Sequence, residues 1–212
     1  MAEEYALTFD RGRSKRLLIV PALFDETNRM RRFTVEVMRR LDGAGIDSFL
    51  PDLPGTNESQ QPLSIQSTED WRDAMGAASL HFGATHALGI RGGCLFTPGR
   101  LPRAHYACAK ASSILRQMIR ARILSSREAG VEEKREALME HGLCEGLELA
   151  GYSLGAEFLR EFDMLQAAPL DSVIEIGQDQ IGGSGLWLRA EPGESREQAD
   201  ALAASLSVWL MP

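Results

Sequence analysis

The stretch Thr85-His86-Ala87-Leu88-Gly89-Ile90-Arg91-Gly92-Gly93-Cys94 decides how this sequence is interpreted. Its first part is short and mostly apolar, which predicts a buried strand at 85–88. Its second part carries glycine at three of the five positions 89–93, which predicts a tight turn directly after that strand. The glycines give this turn the spacing Gly-x-Arg-x-Gly, with Arg91 at its centre.

That spacing resembles the nucleophile elbow of α/β-hydrolases, Gly-x-Ser-x-Gly, where a strained serine at a strand–helix junction points into the active site. We call residues 89–93 the elbow. An arginine stays protonated in proteins and is not a nucleophile. The sequence therefore predicts a hydrolase-like body whose elbow carries Arg91 in place of the serine. The alternative is an ordinary glycine-rich turn between a strand and a helix.

Strands and helices alternate around the elbow. Apolar runs predict strands at 5–9, 16–20 and 46–50, and helical spacing predicts a helix over 30–41. A capping box of Ser67 and Asp70 opens a further helix that continues through residue 82. The alternation predicts an α/β fold, a three-layer sandwich with a mostly parallel central sheet. The loop 51–66 is long enough that a functional role is expected.

The alternation is interrupted after the elbow. A strand is expected at 104–109, followed by two successive helices at 113–128 and 131–141. A strand–turn–helix unit at 147–165, strands at 173–176 and 186–190 and a helix capped by Ser195 complete the chain. We expect a single domain over residues 1–212, with a short helical cap inserted at about residues 110–146.

A literal Gly-x-Ser-x-Gly occurs later, at Gly151-Tyr152-Ser153-Leu154-Gly155. It makes Ser153 the alternative nucleophile, for an active serine esterase or acyl hydrolase. A serine nucleophile needs a histidine base, and in the hydrolase order the histidine follows the serine. All four histidines precede Ser153; they are His81, His86, His105 and His141. The sequence therefore favours a turn in which Ser153 caps a helix, and structural roles for the histidines.

Charged residues crowd the segment after the first buried strand, Phe24-Asp25-Glu26-Thr27-Asn28-Arg29-Met30-Arg31-Arg32. In a fold of this type the segment faces the elbow. An unpaired buried charge costs several kcal/mol, so we expect Asp25 or Glu26 to pair with Arg91. The alternative is a solvated start of a helix. The expected ligand-binding set is Asp25, Glu26, Arg29, Arg31, Arg32 and Arg91.

These motifs resemble those of the exosortase A system-associated hydrolases. The run 24–32 is similar to the stretch F-A-E-E-M-N-K-S-R-R of that family, and Gly89-Ile90-Arg91 to its Gly-Leu-Arg elbow. Segments 113–118 and 150–154 are similar to its basic helix and its A-G-Y-x-L turn. The resemblance implies an α/β-hydrolase fold and a bacterial association with exopolysaccharide export, and it implies no particular reaction. The chain departs from the family at Asp25, which replaces a glutamate, and in a shortened C-terminal region without the usual catalytic histidine.

Composition excludes several classes of function. The net charge of −7 argues against nucleic-acid binding, and no window approaches the ~20 apolar residues of a membrane span. Cys94, Cys108 and Cys144 are odd in number and lack a C-x-x-C spacing, which favours reduced thiols in the cytoplasm and no structural zinc. We expect no cofactor and no metal. Cys94 is expected to be a small buried side chain, the alternative being a reactive thiol.

Three hypotheses for function follow. The first is a catalytically degenerate hydrolase homologue that binds an anionic or sugar-like ligand, or a partner protein, through Arg91, Arg29, Arg31 and Arg32. The second is an active esterase that uses Ser153. The third is a homodimeric, non-catalytic scaffold subunit whose cleft is vestigial.

Overall fold

The structure, a computed structural model, describes residues 3–169 and 172–211. Its strands are β1 (Ala6–Phe9), β2 (Arg16–Val20), β3 (Asp47–Pro51), β4 (His86–Ile90), β5 (Arg103–Tyr106), β6 (Leu147–Leu149), β7 (Tyr152–Leu154) and β8 (Ile174–Ile176). Its α-helices are α1 (Asp25–Gly43), α2 (Thr68–His81), α3 (Ala111–Glu128), α4 (Arg135–Glu145), α5 (Ala156–Met164), α6 (Gln178–Ile181) and α7 (Arg196–Leu210). Short 3₁₀-helices span Leu63–Ile65, Arg91–Phe96 and Leu186–Leu188.

The central sheet has the order β1-β3-β2-β4-β5-β8. Strand β1 runs antiparallel to β3, and the remaining pairs are parallel. The continuous apolar run Leu17–Val20 within β2 is completely buried, as a parallel strand covered on both faces requires. The predicted α/β architecture with a mostly parallel sheet is confirmed.

Helices cover both faces of this sheet. On one face, α1 and α7 pack through residues such as Phe33 and Leu206 against β2 and β4. On the other face, Trp71 of α2 and Phe158 of α5 lie in a second apolar cluster with residues of α3. The sheet and these two helical layers form the three-layer sandwich.

Some helices and strands begin or end at residues other than those predicted from the sequence. Helix α1 begins at Asp25, five residues before its predicted start, and the capping box of Ser67 and Asp70 is present at the start of α2. The predicted strand at 186–190 is wrong, because this segment turns into the 3₁₀-helix Leu186–Leu188. Residues 186–190 belong to neither of the two sheets of the described chain.

The strand predicted to start at residue 147 and the helix predicted at 155–165 are present as β6 and α5, but the predicted turn between them is wrong, because Ser153 lies in a strand. Strands β6 and β7 form an antiparallel hairpin, a separate two-stranded sheet. The hairpin loop is Ala150-Gly151, and both residues have positive φ, 52° and 81°. Two residues of this kind match a type I′ turn, which reverses the chain and joins antiparallel strands.

The chain between β5 and β8 holds the elements that interrupt the alternation. These are α3, α4, the β6–β7 hairpin and α5. The interruption therefore continues beyond residue 146, to the end of α5. In the described parts of the chain, every helix is too short or too polar to cross a membrane.

Candidate functional site

Arg91 occupies a strained position at the carboxyl end of β4. It follows Ile90, the last residue of the strand, and its φ is +54°, in the left-handed region. That conformation costs roughly 1–2 kcal/mol in a residue that carries a side chain. The 3₁₀-helix Arg91–Phe96 begins directly afterwards. The local geometry is therefore a sharp strand-to-helix turn with Arg91 at its tip.

Gly93 lets this turn approach the neighbouring strand. A Cβ atom at this position would lie 2.3 Å from the carbonyl oxygen of Pro21 and 2.4 Å from that of Val20. Both distances are shorter than real Cβ contacts allow. The turn can therefore close against the end of β2 only when residue 93 is glycine.

The Arg91 guanidinium is held by three groups of the protein. Its Nε and Nη2 atoms each donate to a carboxylate oxygen of Glu26 at 3.0 Å, a bidentate ion pair. Its Nη1 donates to the carbonyl oxygen of Ala107 at 2.7 Å. The guanidinium carbon lies 4.0 Å from the centre of the Trp187 ring. The carboxylate partner that was predicted from the segment 24–32 is present. It is Glu26, in the first turn of α1.

This arrangement is largely removed from solvent. The side chains of Arg91 and Glu26 are 14% and 13% exposed. A buried guanidinium with a bidentate partner and an aromatic ring over its face is neutralised and fixed in place. We call Glu26, Arg91 and Trp187 the elbow lock. Trp187 was expected in a strand, and its position over Arg91 could not be inferred from the sequence.

The remaining predicted ligand residues divide into two groups. Arg31 lies 3.2 Å from the buried carboxylate of Asp52, and Arg32 pairs with Glu194. Both therefore contact carboxylates away from the elbow lock. Arg29 lies beside it, and its Nη1 donates to the carbonyl oxygen of Trp187 at 3.2 Å.

Asp25 and Arg29 share their surroundings with Tyr152. Burial raises the pKa of Tyr152; the charge of Asp25 raises it further and the charge of Arg29 opposes this. The ring of Tyr152 packs edge-on against Phe24 at 5.2 Å. We call Asp25, Arg29 and Tyr152 the mouth group. Arg29 connects this group to the elbow lock through its hydrogen bond to the carbonyl of Trp187.

Ser153 follows Tyr152 directly on β7, and its side chain points to the opposite face of the β6–β7 hairpin. It is exposed on β7, opposite Glu148 of β6. It does not cap α5, because the residue that precedes this helix is Gly155. Ser153 lines an open cavity of about 290 Å³ together with His141, Glu145 and other residues. His141 Nδ1 lies 3.7 Å from a carboxylate oxygen of Glu145.

A third cluster was not anticipated from the sequence. The sulfur atoms of Cys94 and Cys108 and one ring nitrogen of His105 lie within 4.8 Å of one another. Burial raises the pKa of Cys94 far above its usual value. The neighbouring Cys94 thiol, and to a smaller extent His105, lower the pKa of Cys108 to about 5. The sequence held one indication of this cluster. Cys94 follows the end of β4 and Cys108 follows the end of β5, and these two strands are neighbours in the sheet.

Comparisons with known proteins identify the fold. No known protein family matches the sequence, and no curated protein matches it significantly. Among solved structures, the chain is similar to Est1E from Butyrivibrio proteoclasticus with ferulic acid bound, with a TM-score of 0.60 and 11% identity over 98% of this chain and 94% of that one. It is also similar to a monoacylglycerol lipase from Paleococcus ferrophilus, with a TM-score of 0.52 and 12% identity over 99% of this chain and 98% of that one. At such identities the similarity concerns the fold, which is that of the α/β-hydrolases.

Proposed function

We propose that this α/β-hydrolase-fold chain is a non-catalytic cytoplasmic binding protein in which Arg91 stands at the position of the serine nucleophile. The observation that carries this proposal is the strained, left-handed backbone of Arg91 at the tip of β4. This is the backbone position that a nucleophile elbow assigns to its attacking residue. An arginine there cannot attack an acyl group, and its hydrogen-bonding groups are already directed to Glu26 and Ala107.

The side chains that contact Arg91 also support this proposal. A serine hydrolase requires an imidazole within hydrogen-bond reach of the attacking oxygen. The side-chain partners of Arg91 within the described chain are Glu26 and Trp187. The contacts of Arg91 therefore favour a binding role for this part of the chain over acyl transfer.

We infer that the ligand is an anionic or sugar-like small molecule held at the mouth group. Arg29 is the cation best placed for it, since Arg31, Arg32 and Arg91 are each paired with a carboxylate. The carboxylate of Asp25 can accept hydrogen bonds from the hydroxyl groups of a sugar, and the guanidinium of Arg29 can donate to them. The aromatic ring of Tyr152 can pack against the apolar face of the sugar. The resemblance to exopolysaccharide-associated proteins supports the same class of ligand.

The absence of catalysis can be tested directly. We expect the purified protein to resist a fluorophosphonate probe and to leave p-nitrophenyl acetate unhydrolysed above the buffer rate. Ser153→Ala should behave as the wild type. Labelling of the wild type that disappears in Ser153→Ala would overturn the proposal.

Ligand binding needs a separate experiment. Calorimetric titration with glucuronate, an anionic sugar, should give a binding isotherm that Arg29→Gln weakens at least about tenfold. Arg32→Gln is the matched control, because Arg32 pairs with Glu194, whereas Arg29 donates to the carbonyl of Trp187. Equal binding by the two variants, or no binding by the wild type, contradicts this assignment.

The second candidate function is a serine esterase built on Ser153. It is supported by the cavity that Ser153 shares with His141 and Glu145. A histidine that precedes the serine in the chain would then act as its base, against the usual hydrolase order. Loss of esterase activity in both Ser153→Ala and His141→Gln would favour this candidate over the binding protein.

A further inference from the structure

Two thiols and an imidazole converge beside the elbow, at the carboxyl ends of β4 and β5. Cys94 is buried in the 3₁₀-helix that follows β4, His105 is buried in β5, and Cys108 follows the end of β5. One potential ligand atom from each lies within 4.8 Å of the other two. One residue lies in β5 and the other two follow the carboxyl ends of β4 and β5, so the paired strands hold the three atoms together.

The glycine at position 89 makes room for this convergence. Gly89 lies opposite His105 in the β4–β5 register. A Cβ atom on Gly89 would lie 2.6 Å from the Cα of Cys94 and 2.8 Å from the Cγ2 of Thr97. Cys94 and Thr97 can therefore occupy the space beside His105 only because residue 89 lacks a side chain.

Thr97 orients the imidazole. Its Oγ1 lies 3.3 Å from the carbonyl oxygen of Cys94 and 2.9 Å from Nε2 of His105. In the tautomer that a metal at Nδ1 requires, the hydroxyl donates to the carbonyl of Cys94 and Nε2 donates to the hydroxyl oxygen. The neutral ring then carries its lone pair on Nδ1. Metal-binding histidines are typically held in this way, by a hydrogen bond at the nitrogen that does not bind the metal.

We propose that Cys94, His105 and Cys108 form a Zn²⁺ site. Zinc takes thiolate and imidazole ligands at about 2.3 Å and about 2.0–2.1 Å, in tetrahedral geometry. These bond lengths place ligand atoms about 3.5–3.8 Å apart, which the cluster reaches by a small contraction. Hard cations such as Mg²⁺ and Ca²⁺ prefer oxygen ligands and do not suit this set.

Water completes the fourth position. Glu175 is exposed on β8, directly opposite His105 in the β5–β8 register, and its carboxylate is not one of the three converging ligand groups. Two thiolates balance the charge of the metal. The ion would fasten the 3₁₀-helix of the elbow to the end of β5.

Metal titration tests this proposal without any activity assay. Protein stripped with a chelator and kept reduced should bind one Zn²⁺ per chain in competition with a chromogenic chelator. Zinc should also raise its melting temperature, whereas Mg²⁺ should not. With Co²⁺ as the probe, a thiolate-to-cobalt charge-transfer band should appear in the near ultraviolet.

Variants separate this site from adventitious binding. Cys108→Ser should lower zinc affinity at least about a hundredfold, beyond the 10–100-fold typical of a lost supporting residue. Cys144→Ser is the matched control, because Cys144 is exposed and outside the cluster. Circular dichroism confirms that both variants fold.

Three outcomes would overturn the proposal. The first is failure of the wild type to bind zinc. The second is zinc affinity in Cys108→Ser equal to that in Cys144→Ser. The third is a Cys94–Cys108 disulfide that forms under mild oxidation in a protein that binds no zinc when reduced. Each result is independent of the proposed ligand at the mouth group.

Discussion

Arg91 combines two unfavourable features that its partners offset. Its backbone is left-handed and its charge is largely buried. The bidentate contact with Glu26, the carbonyl of Ala107 and the ring of Trp187 supply the compensating interactions. With all of these contacts made inside the protein, Arg91 has a structural role in the elbow.

Removing one member of the Arg91–Glu26 pair should therefore destabilise the protein. We expect Arg91→Ala to cost about 2–4 kcal/mol of unfolding free energy, because Glu26 is left buried without its counter-charge. Arg91→Gly should cost about 1 kcal/mol less than Arg91→Ala, since glycine accepts the positive φ. Urea denaturation of both variants measures the difference.

A double-mutant cycle supplies the control. Glu26→Gln combined with Arg91→Ala should be less destabilised than the sum of the single variants, with a coupling energy of about 1–3 kcal/mol. Strictly additive effects would mean that the pair contributes nothing specific to the elbow.

The elbow depends on close backbone approach, which is a property of the turn as a whole. Gly93→Ala should cost at least about 3 kcal/mol, because its Cβ would overlap the carbonyl oxygens at the end of β2. Gly76 is the matched control. It lies inside α2, and a Cβ there would meet no atom within 4 Å among the described residues.

Gly76→Ala should stabilise the protein by about 0.5–1 kcal/mol through its better helix propensity. Melting temperatures should therefore move in opposite directions for the two substitutions. A Gly93→Ala variant as stable as the wild type would show that the turn can relax away from β2.

The sequence was informative wherever local pattern alone determines an element. The apolar run of β2 and the capping box at Ser67 each require only neighbouring residues, and both were located correctly. The pairing of Arg91 with the charged segment 24–32 was also predictable, because parallel strands bring their carboxyl ends to one edge of the sheet. The cost of an unpaired charge then limited its carboxylate partner to Asp25 or Glu26, and the structure identifies Glu26.

Elements that depend on distant contacts could not be predicted in this way. A Gly-x-Ser-x-Gly pattern can open a helix or lie in a hairpin, and here two positive φ angles at Ala150 and Gly151 produced the hairpin. The position of Trp187 over Arg91 joins residues 96 apart in the chain. Cys94 and Cys108 converge because β4 and β5 pair, which the cysteine spacing does not reveal.

The two faces of the sheet carry different parts of the molecule. The face covered by α1 and α7 is a continuous apolar layer. The opposite face carries the aromatic cluster around Trp71, beneath the elements inserted between β5 and β8. The homodimer stays a prediction, which light scattering coupled to gel filtration would test.

Helix α7 connects the end of the described chain to the central sheet through an aromatic contact. The ring of Trp209 packs edge-on against His86 of β4, with 4.9 Å between ring centres. His86 Nδ1 lies 2.9 Å from Thr85 Oγ1. Burial lowers the pKa of His86 below its ordinary value of 6.5, and the charge of Lys15 lowers it further. The fold therefore favours the neutral form of this imidazole over the protonated one.

The molecule should consequently lose stability on mild acidification. Because the folded pKa of His86 is lower than the unfolded one, protonation favours the unfolded chain. The stabilisation is fully present above pH 6.5 and is lost as the pH falls through the lowered pKa. We expect the urea midpoint to decrease between about pH 7.5 and about pH 5.5, the range over which histidine titrates. His86→Phe keeps a ring against Trp209 but cannot be protonated, so its midpoint should fall less. An equal fall in both proteins would assign the pH response to other groups and leave His86 a packing residue.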